Sequence, residues 1–114
     1  MSIKFTTRQV GDVTVVDAVG RITLGEGSAA LRDTIRDLAA QGNKKILLNL
    51  AEVSYIDSSG IGEMVSGFTT VTNAGGQLKL LSLTKRVKDL LQITKLYTVF
   101  EVHDDETAAV RSFS

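Results

Sequence analysis

Apolar side chains recur at two different spacings along this chain, and the two spacings take turns. Ile3–Arg8 alternates apolar with polar residues, and Val13–Val19 is rich in valine. Gly11-Asp12 lies between them, so the opening pair predicts a β-hairpin. Ser28–Gln41 places Leu31, Ile35 and Leu38 at helical spacing, with Gly42 positioned to end the helix. Lys45–Leu50 reads as a strand. Ser59–Ala74 carries Ile61, Met64, Val65, Phe68 and Val71 on one stripe and stops at Gly75-Gly76. Gln77–Leu81 is a strand, and Thr84–Ile93 a helix with Val87, Leu90 and Leu91 on one face. Thr98–Val102 predicts a last strand and Asp105–Phe113 a last helix.

The predicted order is β-β-α-β-α-β-α-β-α. Strands alternating with helices imply an α/β fold with a mixed, mostly parallel sheet of about five strands and one antiparallel strand at the start. Strands buried on both faces read as continuous apolar runs. Here polar residues interrupt instead: Lys4 and Thr6, Asp17, Lys45 and Asn49, Gln77 and Lys79, and Glu101. The four helices are therefore expected mainly on one face, with the other face wetter. Crossovers of one hand that step in one direction along a sheet give this layout.

Composition narrows the picture. The chain of 114 residues, with 43% hydrophobic residues, suits a single domain over 1–114 with one ordinary core, burying roughly 65% of its unfolded surface. There is no cysteine and no proline. Disulfides, thiolate metal sites and a cysteine nucleophile are thereby excluded. The single histidine, His103, cannot make a multi-histidine metal site, so no metal and no cofactor are expected. Thirteen basic residues balance thirteen acidic ones, which does not provide the basic footprint that nucleic-acid binding needs. The Met1–Val10 stretch has no apolar h-region, and no apolar run is long enough to span a bilayer. A cytoplasmic protein without membrane contact is the expectation.

The informative stretch runs from Asn49 through Val53, Ser54, Tyr55, Ile56, Asp57, Ser58, Ser59, Gly60, Ile61 and Gly62. It is read as the end of a strand, a short loop anchored by Val53 and Ile56, and the start of the second helix. Asp, Ser and Gly before an amphipathic helix form an ordinary N-cap, with Asp57 in an Asx turn and Ser58 or Ser59 capping. The same geometry also suits chemistry. A helix N-terminus offers unpaired N–H groups and the positive end of the dipole, which together stabilise a phosphoserine. Gly60, Gly62 and Gly67 each cost roughly 0.5–1 kcal/mol relative to alanine inside a helix. Either something approaches this helix closely from outside, or the helix packs tightly on the sheet.

These residues resemble the STAS family, specifically its stand-alone bacterial anti-sigma factor antagonists. The likeness covers essentially the whole chain. It takes in Val13-Thr14-Val15-Val16 with Val19-Gly20-Arg21-Ile22, and Leu47-Leu48-Asn49-Leu50 followed by Val53 to Gly62. It continues through Asn73-Ala74-Gly75-Gly76-Gln77-Leu78-Lys79-Leu80 and Val87-Lys88-Asp89-Leu90-Leu91. The resemblance implies the STAS fold and implies that Ser58 is phosphorylated by a partner anti-sigma factor with serine kinase activity. The unphosphorylated form then binds that partner and frees a sigma factor, and a serine phosphatase restores it. The partner-binding residues so implied are Asp57, Ser58, Ser59, Gly60, Ile61 and Gly62, together with Thr23. Asp57 matches the family carboxylate beside the acceptor, and a plain turn role fits it equally. Many antagonists carry an aspartate soon after the second strand in a Gly-x-Leu-Asp pattern. Here Thr23 stands there, in Gly20-Arg21-Ile22-Thr23, which alters partner recognition and leaves the Ser58 segment untouched.

Other residues carry less. No Gly-x-x-x-x-Gly-Lys-Ser/Thr loop occurs, and Gly25-Glu26-Gly27 lacks dinucleotide spacing. Lys85, Arg86 and Lys88 form a basic cluster, read as a solvated face or as a contact for an anion or an acidic partner. Ser58, Asp57 and His103 make no hydrolase triad, and Gly-x-Ser-x-Gly is missing. The leading reading is a regulatory binding protein and not an enzyme. The alternative is a STAS adaptor or scaffold subunit of a signalling or transport complex that is never phosphorylated. A small-ligand sensor is a third class, because open α/β sheets bind ligands at their strand ends.

Overall fold

A computed structural model describes residues 3–113 of the chain. Its elements run β1 (Lys4–Val10), β2 (Val13–Ile22), α1 (Glu26–Ala40), β3 (Lys45–Ile56), α2 (Ser58–Asn73), β4 (Gln77–Leu81), α3 (Lys85–Ile93), β5 (Val102–His103) and α4 (Glu106–Ser112). The strands form one sheet in the order β1-β2-β3-β4-β5. β1 is antiparallel to β2, and the other pairs are parallel. This is the mixed α/β sheet that the alternating periods predict.

Because strand order follows chain order, each crossover steps the same way, and α1, α2 and α3 land on one face. There Leu31, Ile35, Leu38, Ile61, Met64, Val87 and Leu91 pack on Val16, Ile46, Leu48, Leu78 and Leu80 of the sheet. Each such side chain contributes roughly 1.5–3 kcal/mol on burial. The stripes read from the sequence are these contacts.

The opposite face is drier than the alternation suggests. α4 turns back onto it, and Ala109 and Phe113 bury Val13, Val15, Leu47 and Leu81. Lys79, expected on the wet face, is only 7% exposed. Its ammonium donates to the Ser112 carbonyl and hydroxyl, each at 2.9 Å, lies 2.9 Å from Glu101 and sits 4.7 Å from the centre of the Phe113 ring. A long stem with a charged tip can cover apolar surface in this way.

Arg8 holds the other end of α4. Its guanidinium reaches Asp17 at 2.7 Å and Glu106 at 2.6 Å, while Asn49 donates to Asp17 at 2.8 Å. The Arg8 hydrogen bonds hold both carboxyls below their ordinary values. A carboxyl with a depressed folded pKa stabilises above its unfolded value and loses that contribution as pH falls through the folded one. Acid is therefore expected to release α4 before the main core opens. Hydrogen exchange should show residues 106–112 losing protection below about pH 4 while β2, β3 and β4 keep theirs. Simultaneous loss across all of these elements would contradict this.

β1 and β2 run on to Val10 and Ile22, past the expected Arg8 and Val19, and two later elements differ more. The expected loop after Leu50 does not exist, because β3 continues to Ile56. Its register against β2 shifts twice, between Asp17 and Val19 and between Gly20 and Arg21. Each bulge inserts one extra residue and resets which face the strand presents. Leu50, Val53 and Ile56 all point into the core at spacings of three, a pattern that mimics the end of a strand. The last strand is Val102–His103 and not Thr98–Val102. Residues 97–100 form a turn instead. Its Phe100 is buried edge-on against Phe68, with ring centres 5.5 Å apart.

Candidate functional site

Parallel neighbours end at the same edge of a sheet. Ile22 of β2 is in register with Ile56 of β3, so the chain leaving β2 through Thr23 and Leu24 lies beside Asp57 and Ser58 leaving β3. Asp57 ties them together. Its N–H donates to the Ile22 carbonyl at 3.2 Å. Its carboxylate accepts from the Leu24 N–H at 3.0 Å, the Gly60 N–H at 3.0 Å and the Ser59 hydroxyl at 2.6 Å. Burial pushes the Asp57 carboxyl up, but the hydrogen bonds from Ser59, Leu24 and Gly60 outweigh it and hold the group below its ordinary value.

Asp57 is thus the N-cap of α2, and Ser58 is its first helical residue. Of the two serines, Ser59 is half-buried with its hydroxyl committed to Asp57. Ser58 is exposed, and among the described residues its hydroxyl has no hydrogen-bond partner. Replacing Asp57 with alanine removes both the cap and the tether to the 23–25 loop. We expect Asp57→Ala to cost about 1–2 kcal/mol in urea unfolding, with Asp57→Asn intermediate, because its one amide oxygen can keep the Gly60 cap while its NH2 cannot accept from the Leu24 N–H. An alanine variant as stable as wild type would show that the cap is dispensable.

The three glycines separate into two roles. A Cβ at Gly60 would fall 2.7 Å from the Ile22 carbonyl oxygen and 2.7 Å from Ile56 Cγ1, and one at Gly67 3.1 Å from Ile35 Cγ2. Those two glycines let α2 press on the sheet and on α1. Gly62 is exposed, with nothing within 4 Å of the same position. It alone fits approach by a second molecule.

Ile61 is 2% exposed and Gly60 is buried, so these two set the helix and do not present a surface. Thr23 is half-buried, and its carbonyl accepts from the Ser28 N–H at 2.9 Å. Leu24 is 80% exposed. Gly25, at φ 97°, takes the left-handed turn into α1 that a side chain would resist. Leu24 was not singled out by sequence; its signal is an apolar residue belonging to no stripe. The open face of the site is therefore Thr23, Leu24, Ser58 and Gly62.

His103 lies elsewhere, paired with Glu101 at 2.6 Å, and Lys85 pairs with Asp89 at 2.8 Å. Among the described residues no group of three or more His, Asp or Glu side chains is placed to hold a metal ion. Among them, too, no helix is long and apolar enough to cross a membrane.

Comparison with known proteins follows the same lines. The family model described as "STAS domain" matches residues 4–109. An anti-sigma-B factor antagonist of Bacillus subtilis (strain 168) is 33% identical over 102 residues, covering 90% of this chain and 92% of that protein. The crystal structure of an anti-sigma factor antagonist from Mycobacterium paratuberculosis superposes with a TM-score of 0.87 at 18% identity, covering 98% of this chain and 94% of the other. SpoIIAA, a Bacillus cell fate determinant, solved in its phosphorylated form, gives a TM-score of 0.73 at 21% identity, covering 95% and 97%.

Proposed function

We propose that this chain, which belongs to the STAS domain family and groups with its anti-sigma factor antagonists, is a binding protein switched by a phosphate on Ser58. Unphosphorylated, it binds an anti-sigma factor that is also a serine kinase, and so frees a sigma factor. The kinase transfers the γ-phosphoryl group of ATP to the Ser58 hydroxyl, the complex separates, and a serine phosphatase resets the chain. These exchanges place it in the cytoplasm, and no turnover of its own is needed.

One observation carries this reading: Ser58 is an exposed hydroxyl at a helix N-terminus with no hydrogen-bond partner among the described residues, while the neighbouring Ser59 hydroxyl is held by Asp57. That a related fold has been solved phosphorylated supports it. The test is to incubate the chain with ATP and each serine-kinase anti-sigma factor of the same genome, then locate the phosphate by mass spectrometry. Incorporation at Ser58, lost in Ser58→Ala and kept in Ser59→Ala, is the expected result. Incorporation at Ser59, or none with any such kinase, would overturn it.

Leu24 adds an anchor that can be checked separately. An exposed leucine beside the acceptor serine is the kind of residue that fills a partner's pocket. Leu24→Ala is expected to leave the melting temperature unchanged, because the residue is exposed, and to weaken the partner complex by about tenfold or more, the equivalent of 1.4 kcal/mol. Unchanged affinity in calorimetry would remove Leu24 from the contact face.

A further inference from the structure

Near Ser58 two arginines share one aromatic ring. Arg21, one residue before the end of β2, is in register with Tyr55 of β3, and its guanidinium carbon lies 5.0 Å from the centre of the Tyr55 ring. Arg86, in the first turn of α3, reaches the same ring at 4.4 Å. Both arginines are exposed and Tyr55 is half-buried. Among the described residues neither guanidinium has a carboxylate within salt-bridge distance. By contrast, Arg8 engages Asp17 and Glu106, Arg32 lies near Asp33 and Glu63, and Lys85 engages Asp89.

The two charges lie within about 9 Å of each other, comparable to the screening length of about 8 Å at physiological salt. One guanidinium would be enough to cover an aromatic face. At that separation salt screens most of the repulsion between exposed charges, so both guanidinium groups can sit on one ring and remain open to a single anion that spans them. Stacking on the ring also fixes the planar forks, which keeps them ready for bidentate carboxylate binding. Tyr55 precedes Ser58 by three residues, at most about 11 Å of extended chain, so a molecule seated on the Ser58 face reaches the arginines.

We infer that Arg21 and Arg86, held on Tyr55, form a docking point for an acidic segment of the partner protein. It rests on the switch reading only in saying whose segment docks. Charge balance argues against nucleic acid: the chain has thirteen basic and thirteen acidic residues, and the ring here is occupied by the chain's own arginines instead of being open to a base. Anionic membrane would call for a run of four or more basic residues, whereas these two come from distant parts of the chain.

The test uses fluorescein-labelled hexaglutamate, followed by fluorescence anisotropy at low salt, with hexaglutamine as the neutral control. Binding should weaken by about two- to fivefold in either Arg21→Gln or Arg86→Gln, the effect of one exposed ion pair, and by about four- to twenty-five-fold in the double variant. Thermal melts should match wild type, because both side chains are exposed. Ser58→Ala should bind hexaglutamate as wild type does, so failure of the phosphate switch and failure of this site are read separately. No binding by the wild type, equal binding by the double variant, or equal displacement by single-stranded DNA or by phosphatidylserine vesicles would each overturn the assignment.

Discussion

Phosphorylated on Ser58, the chain is expected to bind its partner about a hundredfold more weakly while its melting temperature barely moves. Phosphoserine brings about −1.5 to −2 charges at pH 7. At the first residue of α2 the helix dipole favours it by roughly 0.3–1 kcal/mol. Asp57 opposes that gain, because its carboxylate already occupies the helix end and takes the Gly60 N–H. Two unit charges in water repel by about 1 kcal/mol at 4 Å. A phosphate of nearly two charges raises this to about 2 kcal/mol, which screening at physiological salt brings back to about 1 kcal/mol, so the terms nearly cancel within the folded chain. Partner contact differs. A hydrated dianion buried without a matched cation costs several kcal/mol, and about 3 kcal/mol is already a hundredfold. Ser58→Asp, with one charge, should reproduce part of the loss, and Ser58→Ala should bind normally yet resist the kinase. Calorimetry of the four forms against the kinase, alongside melts, checks this. Equal affinities would move the weight to the adaptor reading, and a collapsed melt would show that the charge acts on the fold.

Legibility followed the period. Helix α2 showed its stripe because Ile61, Met64 and Val71 face one core, and β4 emerged with its observed limits because Gln77–Leu81 is a regular strand between a Gly-Gly stop and a capped helix. β3 was cut short because its two bulges convert a period of two into a period of three. β5 was displaced because Phe100 is apolar for packing on Phe68 and not for sheet pairing. Lys79 looked solvated because nothing local announces that α4 returns over it. Ser58, the proposed acceptor, was singled out by its helix-start grammar together with the family likeness, and it lies exposed at the first residue of α2. Leu24 was not, since its place beside Ser58 depends on the pairing of Ile22 with Ile56, thirty-odd residues apart in sequence.

Alanine at Gly60 and alanine at Gly62 are expected to act in opposite directions, although the two residues sit in the same helix two positions apart. At Gly60 the new methyl meets the Ile22 carbonyl oxygen and Ile56 Cγ1, both at 2.7 Å. The oxygen is backbone of a central strand that also receives the Asp57 N–H, so it cannot yield without loosening the site. Overpacking of this kind costs about 1–3 kcal/mol, more than the roughly 0.5–1 kcal/mol that alanine returns through helix propensity. Gly60→Ala should therefore lower the urea midpoint. At Gly62 no atom lies within 4 Å, so only the propensity term acts, and Gly62→Ala should raise stability by about 0.5–1 kcal/mol. A glycine whose replacement stabilises the fold is retained for something outside it. If that is the partner's close approach to the exposed turn of α2 after Ser58, a single methyl there should weaken the complex by about tenfold or more while the free chain becomes more stable, a split that no purely structural role produces. A Gly62→Ala chain that is more stable and binds its partner as tightly as wild type would take this turn of α2 out of the interface and leave Leu24 and Ser58 to carry it.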